Sequence, residues 1–415
     1  TFNSDSGLIE NVENFDEGLH KKENIDFFYN EDCLIFSGMG DIHIHAREDA
    51  SLKNIYKEDF HTTCCGAING GVVHVGDMPN NPIPPIDDES YKEKTRISFR
   101  EKIAFLMYGG IGPTTRPLSF SVPYKAYMGP SIGELYFKNN KELSDVLVHY
   151  KNQWVSFHCE DPEILEQNKN AKNHFDKRPI VAENMATQLA LELIEKNQLT
   201  GKLCHYSSGE GLDLILAAKK KGLPVTCEVT PQHLFFSREK LEKDFSQDLI
   251  KFQMNPPIRG EEDRLRLLEA LKNGDIDYLA TDHAPHSQEE KEKGMSGLPG
   301  LDTYGPFVTW LLIDEKVDPK ILAKITAENP GRFFNHFLPT LQEIFPEYKK
   351  WGSGLGFIEE GFSASFSVLN LKKPTTVTFN NIKTKARWSP FLGHTFKGSV
   401  EDVFIQGHRV TIENS

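Results

Sequence analysis

Long apolar runs are missing from this 415-residue chain. The most apolar stretch, Pro306 to Ile313, falls far short of the ~20 residues that span a bilayer, so no membrane partner is expected. Paired cysteines are missing too. There are six cysteines, none in a C-x-x-C arrangement, and so thin a supply does not read as a disulfide framework. Positive charge is in deficit, with 47 Lys and Arg against 60 Asp and Glu, a formal charge of −13. With no basic stripe, such a surface repels a phosphate backbone and excludes nucleic acid as a partner. The first 25 residues are polar and acidic and offer no apolar core for a secretory signal. The absent initiator Met is expected to reflect trimming or processing. No repeat or low-complexity tract stands out. What remains is an ordinary globular balance, 38% hydrophobic with 31 glycines, expected to work in the cytoplasm.

What is present is a rhythm of short apolar runs followed by charged amphipathic segments. Eight runs read as buried strands: Met39–His45, Gly71–Asp77, Ala104–Tyr108, Tyr124–Met128, Trp154–His158, Lys202–His205, Val225–Val229 and Ile276–Thr281. Between them lie helical patterns. Ala182–Asn197 sets Met185, Leu189, Leu191, Leu193 and Ile194 toward one side, Gly211–Lys220 behaves alike, and Glu261–Lys272 repeats Leu265, Leu268 and Leu271 at helical spacing. Eight strand–helix units in about 250 residues predict an α/β fold, a closed eight-stranded (β/α) barrel.

Both ends read differently. Ile25–Tyr29, Leu34–Phe36, Ala364–Leu369, Thr375–Phe379 and Val403–Ile405 are short strand-like pieces separated by turn residues. The expected division is residues 1–38 and 351–415 as two parts of one small β-domain, with 39–350 as the barrel. Ile321–Ile325 and Leu338–Phe345 read as helical packing.

Metal-competent residues gather at the C-terminal ends of the strands, the face where such barrels place their chemistry. Strand one ends in Asp41-Ile-His43-Ile-His45-Ala-Arg47, and histidines at i and i+2 of a strand point the same way, so both imidazoles can hold one cation. Strand four carries Lys125, strand five ends in His158, strand six in His205 and strand eight in Asp282. Each has a plainer reading: a strand-end histidine is often a hydrogen-bonded core residue, and a lone lysine often reaches solvent. The coincidence of five strand ends is what points to a metal.

With Met78-Pro-Asn80, Lys125-Ala-Tyr-Met, His158-Cys-Glu-Asp161, Cys204-His205-Tyr-Ser, Glu228-Val-Thr-Pro231, Met254-Asn-Pro-Pro257 and Ala280-Thr-Asp-His-Ala-Pro-His286, the chain resembles the dihydroorotase family of the amidohydrolase superfamily. The match runs from about residue 34 to about 335 and resumes weakly at Ser389-Pro-Phe-Leu-Gly393. The resemblance implies an amidohydrolase-type barrel and two zinc ions. His43, His45 and Asp282 would hold one, His158 and His205 the other, with Lys125 carboxylated as the bridge. Asp282 would act as the catalytic acid–base. Arg47, Asn80 and His286 would contact a substrate carboxylate and Asn255 the ring. The implied reaction is the reversible interconversion of N-carbamoyl-L-aspartate and L-dihydroorotate in pyrimidine synthesis.

Two alternatives stay open. One is another cyclic-amide hydrolase, a dihydropyrimidinase, hydantoinase or allantoinase. The other is a non-catalytic barrel serving as a partner of aspartate carbamoyltransferase, and association with that enzyme is an expectation in its own right. The resemblance also suggests a homodimer. Arg47 decides between substrates, because dihydroorotate carries a carboxylate that dihydrouracil and allantoin lack, and a guanidinium fork suits it. Its competing reading is a surface salt bridge with Glu48 or Asp49. Asn80 could be a turn residue, and His286 could cap a helix.

The chain departs from the family at Gln232, where histidine is usual, at Asn81, where threonine is common, at Asp302, where glutamate is usual, and in the loop Gly129–Leu135, expected to be a mobile cover. His233 is expected to be structural, as are His61 and His74. His149, His174, His336, His394 and His408 show no partners in the sequence. His283 is expected to point away from the metals, and Cys159 and Cys204 to be packed thiols on the opposite face of their strands.

Overall fold

The computed structural model describes residues 1–14, 25–130 and 135–411. Eight parallel strands form in the predicted order: β1 (Met39–Ile44), β2 (Val72–Asp77), β3 (Ala104–Met107, continued by Gly109–Ile111), β4 (Tyr124–Tyr127), β5 (Trp154–His158), β6 (Thr200–Leu203), β7 (Val225–Val229) and β8 (Tyr278–Leu279). Each pairs with the next, with the register shifting twice along β1 and β2. Tyr108 interrupts β3, and its hydroxyl donates to Ile42 O at 3.0 Å. The ring closes where His45 N donates to His283 O at 2.8 Å, beside an Ile44–His283 bridge. Every barrel strand is buried over nearly its whole length, as strands covered on both faces must be.

Helices begin directly after the strand ends because the loops end in capping residues. Asp161 with Pro162 follows β5, Ser208 follows β6, Thr230 with Pro231 follows β7, and Ser287 follows β8. Each cap fixes the loop between strand end and helix, and so fixes the side chains carried there.

The expectations for β8 and for two of the helices need correction. β8 is two residues long rather than running to Thr281, because Thr281 N and Oγ1 turn to the Asp41 carboxylate on β1 instead of extending the ladder. The helix Ile180–Asn197 buries Ala182, Ala186, Ala190, Leu193 and Ile194 while Met185 is exposed; small residues let the helix lie close to its neighbours, and the larger side chains rim the contact. Leu265 in Glu261–Lys272 is likewise exposed, with Leu267, Leu268 and Leu271 inward.

Both termini build one antiparallel sheet, in the order His408–Val410, Ser399–Ile405, Phe366–Asn370, Cys33–Phe36. Ile25–Tyr29 is not a strand; it is irregular chain whose Phe27 ring packs edge-on to Phe404 at 4.7 Å. The tail is tied to the barrel by Asp302, which accepts from Asn69 Nδ2 at 2.8 Å, Lys383 N at 2.7 Å and Thr384 Oγ1 at 2.6 Å. No helix among the described residues is long and apolar enough to cross a membrane.

Candidate active site

A cavity of about 240 Å³ opens at the C-terminal ends of the strands. Eight of the ten site residues expected from the sequence line it: His43, His45, Arg47, Asn80, His158, His205, Asn255 and Asp282. The other two stand behind the wall. Lys125 is fully buried on β4, and His286 touches Arg47.

Three site residues other than glycine have left-handed backbone: Arg47 (φ 65°), His205 (φ 37°) and Asp282 (φ 47°). Each lies just past a strand end, where the turn out of the strand swings its side chain over the barrel mouth. Such conformations cost on the order of 1–3 kcal/mol each and persist where surrounding contacts over-determine them.

One donor atom from each of His43, His45 and Asp282 lies within 4.8 Å of the others. Asp282 Oδ1 is 3.3 Å from His43 Nε2 and 3.1 Å from His45 Nε2. The far nitrogens are already engaged. His43 Nδ1 donates to Glu228 Oε1, and His45 Nδ1 donates to Asn80 Oδ1 at 2.7 Å. A carboxylate can only accept, so Glu228 fixes the proton on Nδ1 and leaves a lone pair on Nε2 facing Asp282. On the other side, His158 Nε2 donates to Glu160 Oε2 at 2.7 Å, and its Nδ1 lies 2.9 Å from His205 Nε2. Burial pushes His43, His45 and His205 well below the usual histidine range, which keeps their rings neutral. Neutral imidazoles beside a carboxylate, with His43 and His45 each held through the outer nitrogen and His205 Nδ1 buried without a partner, are a donor set that fits a divalent cation.

The charges behind this set are balanced. Glu228 is paired with Lys202, and Glu160 with Arg178. Burial alone would raise Glu160, but Arg178 and the bond from His158 outweigh it and hold the carboxyl down at about 2. Burial lifts Asp282 to about 7 against the opposing pull of Lys125.

Lys125 Nζ meets Cys204 Sγ at 2.8 Å and lies 5.3 Å over the Tyr127 ring, with no carboxylate in ion-pair range among the described residues. The expectation for Cys204 therefore fails. Strand alternation stops at Leu203, and the left-handed turn at His205 brings both Cys204 and His205 to the same face, so the thiol joins His43 and Glu228 in a second cluster of donor atoms. His283 does point away, with Nε2 toward Glu58 at 3.3 Å.

Arg47 is buried without an ion pair among the described residues, and its Nε has no partner. The neighbours that might have neutralised it are occupied: Glu48 binds Arg100 and Phe60 N, and Asp49 accepts from Ser51 and Ile83 N. His286 Nε2 is 3.4 Å from Arg47 Nη2, while its Nδ1 faces Lys57 Nζ at 3.4 Å and Glu290 Oε2 at 3.3 Å. Burial and these two cations hold His286 neutral, at about 2. Ser287 rather than His286 caps the following helix. Asn255 Oδ1 is a buried acceptor with no partner.

Of the departures, Asn81 Oδ1 accepts from buried Lys94 at 2.6 Å, and Gln232 is buried with neither amide atom bonded. His233 is bonded to Thr230 Oγ1 at 2.9 Å and Pro256 O at 3.2 Å, which braces the Asn255 loop. His174, without a partner in the sequence reading, bonds Met254 O at 2.8 Å on the same loop. The expected cover Gly129–Leu135 falls largely outside the described residues, although Pro130 lines the cavity. Glu160, Glu228 and Lys202 are not marked by the sequence as site residues: Glu228 and Lys202 pair across two strands, and Glu160 pairs with His158 and with Arg178, which lies in a later loop.

No family model matches the chain. Curated relatives do. A dihydroorotase of Pyrococcus furiosus is 32% identical over 390 residues, covering 92% of this chain and 82% of the relative. One from Pyrococcus horikoshii is 34% identical over 391 residues, covering 91% and 81%. One from Thermococcus kodakarensis is 33% identical over 415 residues, covering 97% and 88%. Among solved structures, an L-hydantoinase (dihydropyrimidinase) from Arthrobacter aurescens superposes with a TM-score of 0.79 at 24% identity, covering 92% of this chain and 86% of that one. A D-hydantoinase gives 0.79 at 20% identity, covering 99% and 91%. These share the barrel with its accompanying β-domain.

Proposed function

The chain belongs to the dihydroorotase family of cyclic-amide hydrolases, and on that footing we propose that it is a zinc-dependent dihydroorotase, interconverting L-dihydroorotate and N-carbamoyl-L-aspartate in pyrimidine synthesis. The observation that carries this reading is Arg47: a buried guanidinium, free of any ion pair among the described residues, in the same cavity as the His43–His45–Asp282 donor set. An uncharged ring would leave that guanidinium unpaired, whereas a carboxylate on the ring supplies its partner.

His43, His45 and Asp282 would hold one zinc, and His158 and His205 a second, with the Lys125 amine carboxylated as the anionic ligand between them. Held by these residues, the cations would supply Lewis-acid chemistry, lowering the pKa of a water and polarising the ring carbonyl. The chain's own residues do the rest. Arg47 and Asn80, the latter through its amide nitrogen, bind the carboxylate with neutral His286 backing Arg47, and Asn255 Oδ1 accepts from a ring N–H. In ring opening, the water oxygen bonds to the carbonyl carbon, the ring C–N bond breaks, and one proton moves from water to nitrogen. Asp282, lifted toward neutral pH by burial, is the carboxyl group in reach to take and return that proton.

The test is ring opening by zinc-loaded protein of L-dihydroorotate, dihydrouracil and allantoin side by side. Turnover of dihydroorotate in preference to the other two is expected. A preference for an uncharged ring would overturn the assignment of Arg47, and no turnover of any ring with metal bound would overturn the enzymatic reading.

A further inference from the structure

The helix after β8 carries a lysine that none of the roles above uses. Lys291 is buried, with 1% of its surface exposed, and its Nζ donates to three main-chain carbonyls: Gln253 O at 2.8 Å, Met295 O at 2.6 Å and Gly297 O at 2.9 Å. No carboxylate is within ion-pair distance among the described residues. An ammonium has three donors and no acceptor, so this is its complete complement of bonds. The three carbonyls belong to two loops. One runs through Gln253 into Met254 and Asn255; the other is Gly294–Gly297. Both line the cavity, and Gly297 N donates to Gln253 O at 2.9 Å between them. The tail seals the lysine from outside: the Trp388 ring lies 5.7 Å from Nζ, and its Nε1 donates to His286 O at 3.2 Å.

We propose that Lys291 is a positioning residue, its ammonium fastening the Asn255 loop to the Gly294–Gly297 loop and so setting the shape of the ring-binding wall. This rests on the cavity being a cyclic-amide site. The lysine touches no metal ligand, so its effect falls on substrate binding rather than on the bond-breaking step. Because three bonds require the charged form, loss of its proton leaves one carbonyl facing a lone pair and loosens the joint. Burial pulls this lysine down to about 7, which puts that loss within the working range. Four of the groups around it are held away from that range. Burial holds His286 at about 2 and His174 at about 4. Glu290 is kept at about 2 by Lys57 and Tyr56 against its burial, and Lys251 is raised by Asp248. Asp248 and Glu292 lie along the adjoining cleft.

The experiment compares wild type with Lys291→Met, which keeps the length and loses the donors. Two readouts are taken between about pH 6 and 8.5: KM and kcat for dihydroorotate, and amide hydrogen exchange over residues 253–258 and 294–298. The variant should raise KM about tenfold at pH 6.5 with kcat changed less than about twofold. Wild-type KM should climb above about pH 7 more steeply than the variant's. Exchange in the two loops should be faster in the variant, and in wild type should rise above pH 7 by more than the intrinsic chemical rate. Equal KM in the two proteins, or parallel pH profiles, would overturn the proposal. If wild type turns over no cyclic amide, the functional reading has failed, and the exchange comparison still decides the role of Lys291. If Lys291→Met does not fold, the wild-type exchange profile decides it alone.

Discussion

Replacing Arg47 by Met should separate activity from stability in opposite directions. In the protein without substrate, the guanidinium is buried with its Nε–H unpaired and no carboxylate in range. An unsatisfied buried donor costs about 1–3 kcal/mol, more when it is charged. Methionine fills much of the same volume without that cost, so the variant should be more stable by on the order of 1–3 kcal/mol, read as a higher denaturant midpoint at unchanged slope. The left-handed φ of 65° at this position is common to both proteins and cancels. With substrate, the balance reverses. Removing one partner of a buried, hydrogen-bonded charge pair costs about 2–5 kcal/mol, and a value near 3 lowers kcat/KM for dihydroorotate by roughly 150-fold. Dihydrouracil has no carboxylate to lose, so its kcat/KM should move by less than about threefold. The assay is steady-state ring opening of both substrates, with urea melts of both proteins. Equal losses on the two rings would refute the pairing with a carboxylate, and a destabilised variant would refute the claim that Arg47 is unpaired at rest.

Other perturbations test the scaffold behind the metal-competent residues. Glu228→Gln removes the acceptor that fixes the His43 proton and unpairs Lys202, so metal affinity should fall about 10- to 100-fold by competition with a chelator. Carbon-13 bicarbonate supplied during metal loading should label a carbamate carbon visible by NMR, and Lys125→Ala should abolish that signal along with activity. Acid should destabilise the fold through His233. Burial holds it at about 4 when folded, against 6.5 when free, so the unfolded chain binds more protons between those values. The stability this contributes is complete above pH 6.5 and is lost as pH falls toward 4, a span worth about 3 kcal/mol. In His233→Asn, the melting temperature should fall less steeply across that window.

The sequence makes the barrel strands legible because a strand covered on both faces is rich in apolar residues, and it makes His43 and His45 legible because alternation places them together. It conceals whatever depends on a distant partner. Glu228 matters because β7 passes behind a histidine 185 residues earlier in the chain, and Lys291 because two loops converge on it. Cys204 misled because a period of two holds only while the chain remains a strand. Met185 and Leu265 misled because hydrophobic spacing marks a helix without saying which of its apolar residues reaches the barrel.

The sheet shared by the two termini bears on how the protein is made. Phe36 pairs with Ser367, a separation of 367 − 36 = 331 residues. At roughly 5–20 residues per second, a ribosome needs about 15–65 seconds to supply that partner after the first strand is complete. Throughout that interval Cys33–Phe36 is a naked strand edge, able to pair with any other chain in the same condition. Closing so long a loop in an unfolded chain would cost about 5 kcal/mol in entropy beyond the constant term. A barrel formed first removes most of that cost, since β1 begins three residues after Phe36 and carries the strand to the meeting point. The order of synthesis thus favours barrel before sheet, and the hazard of aggregation belongs to nascent chains not yet long enough to reach Phe366.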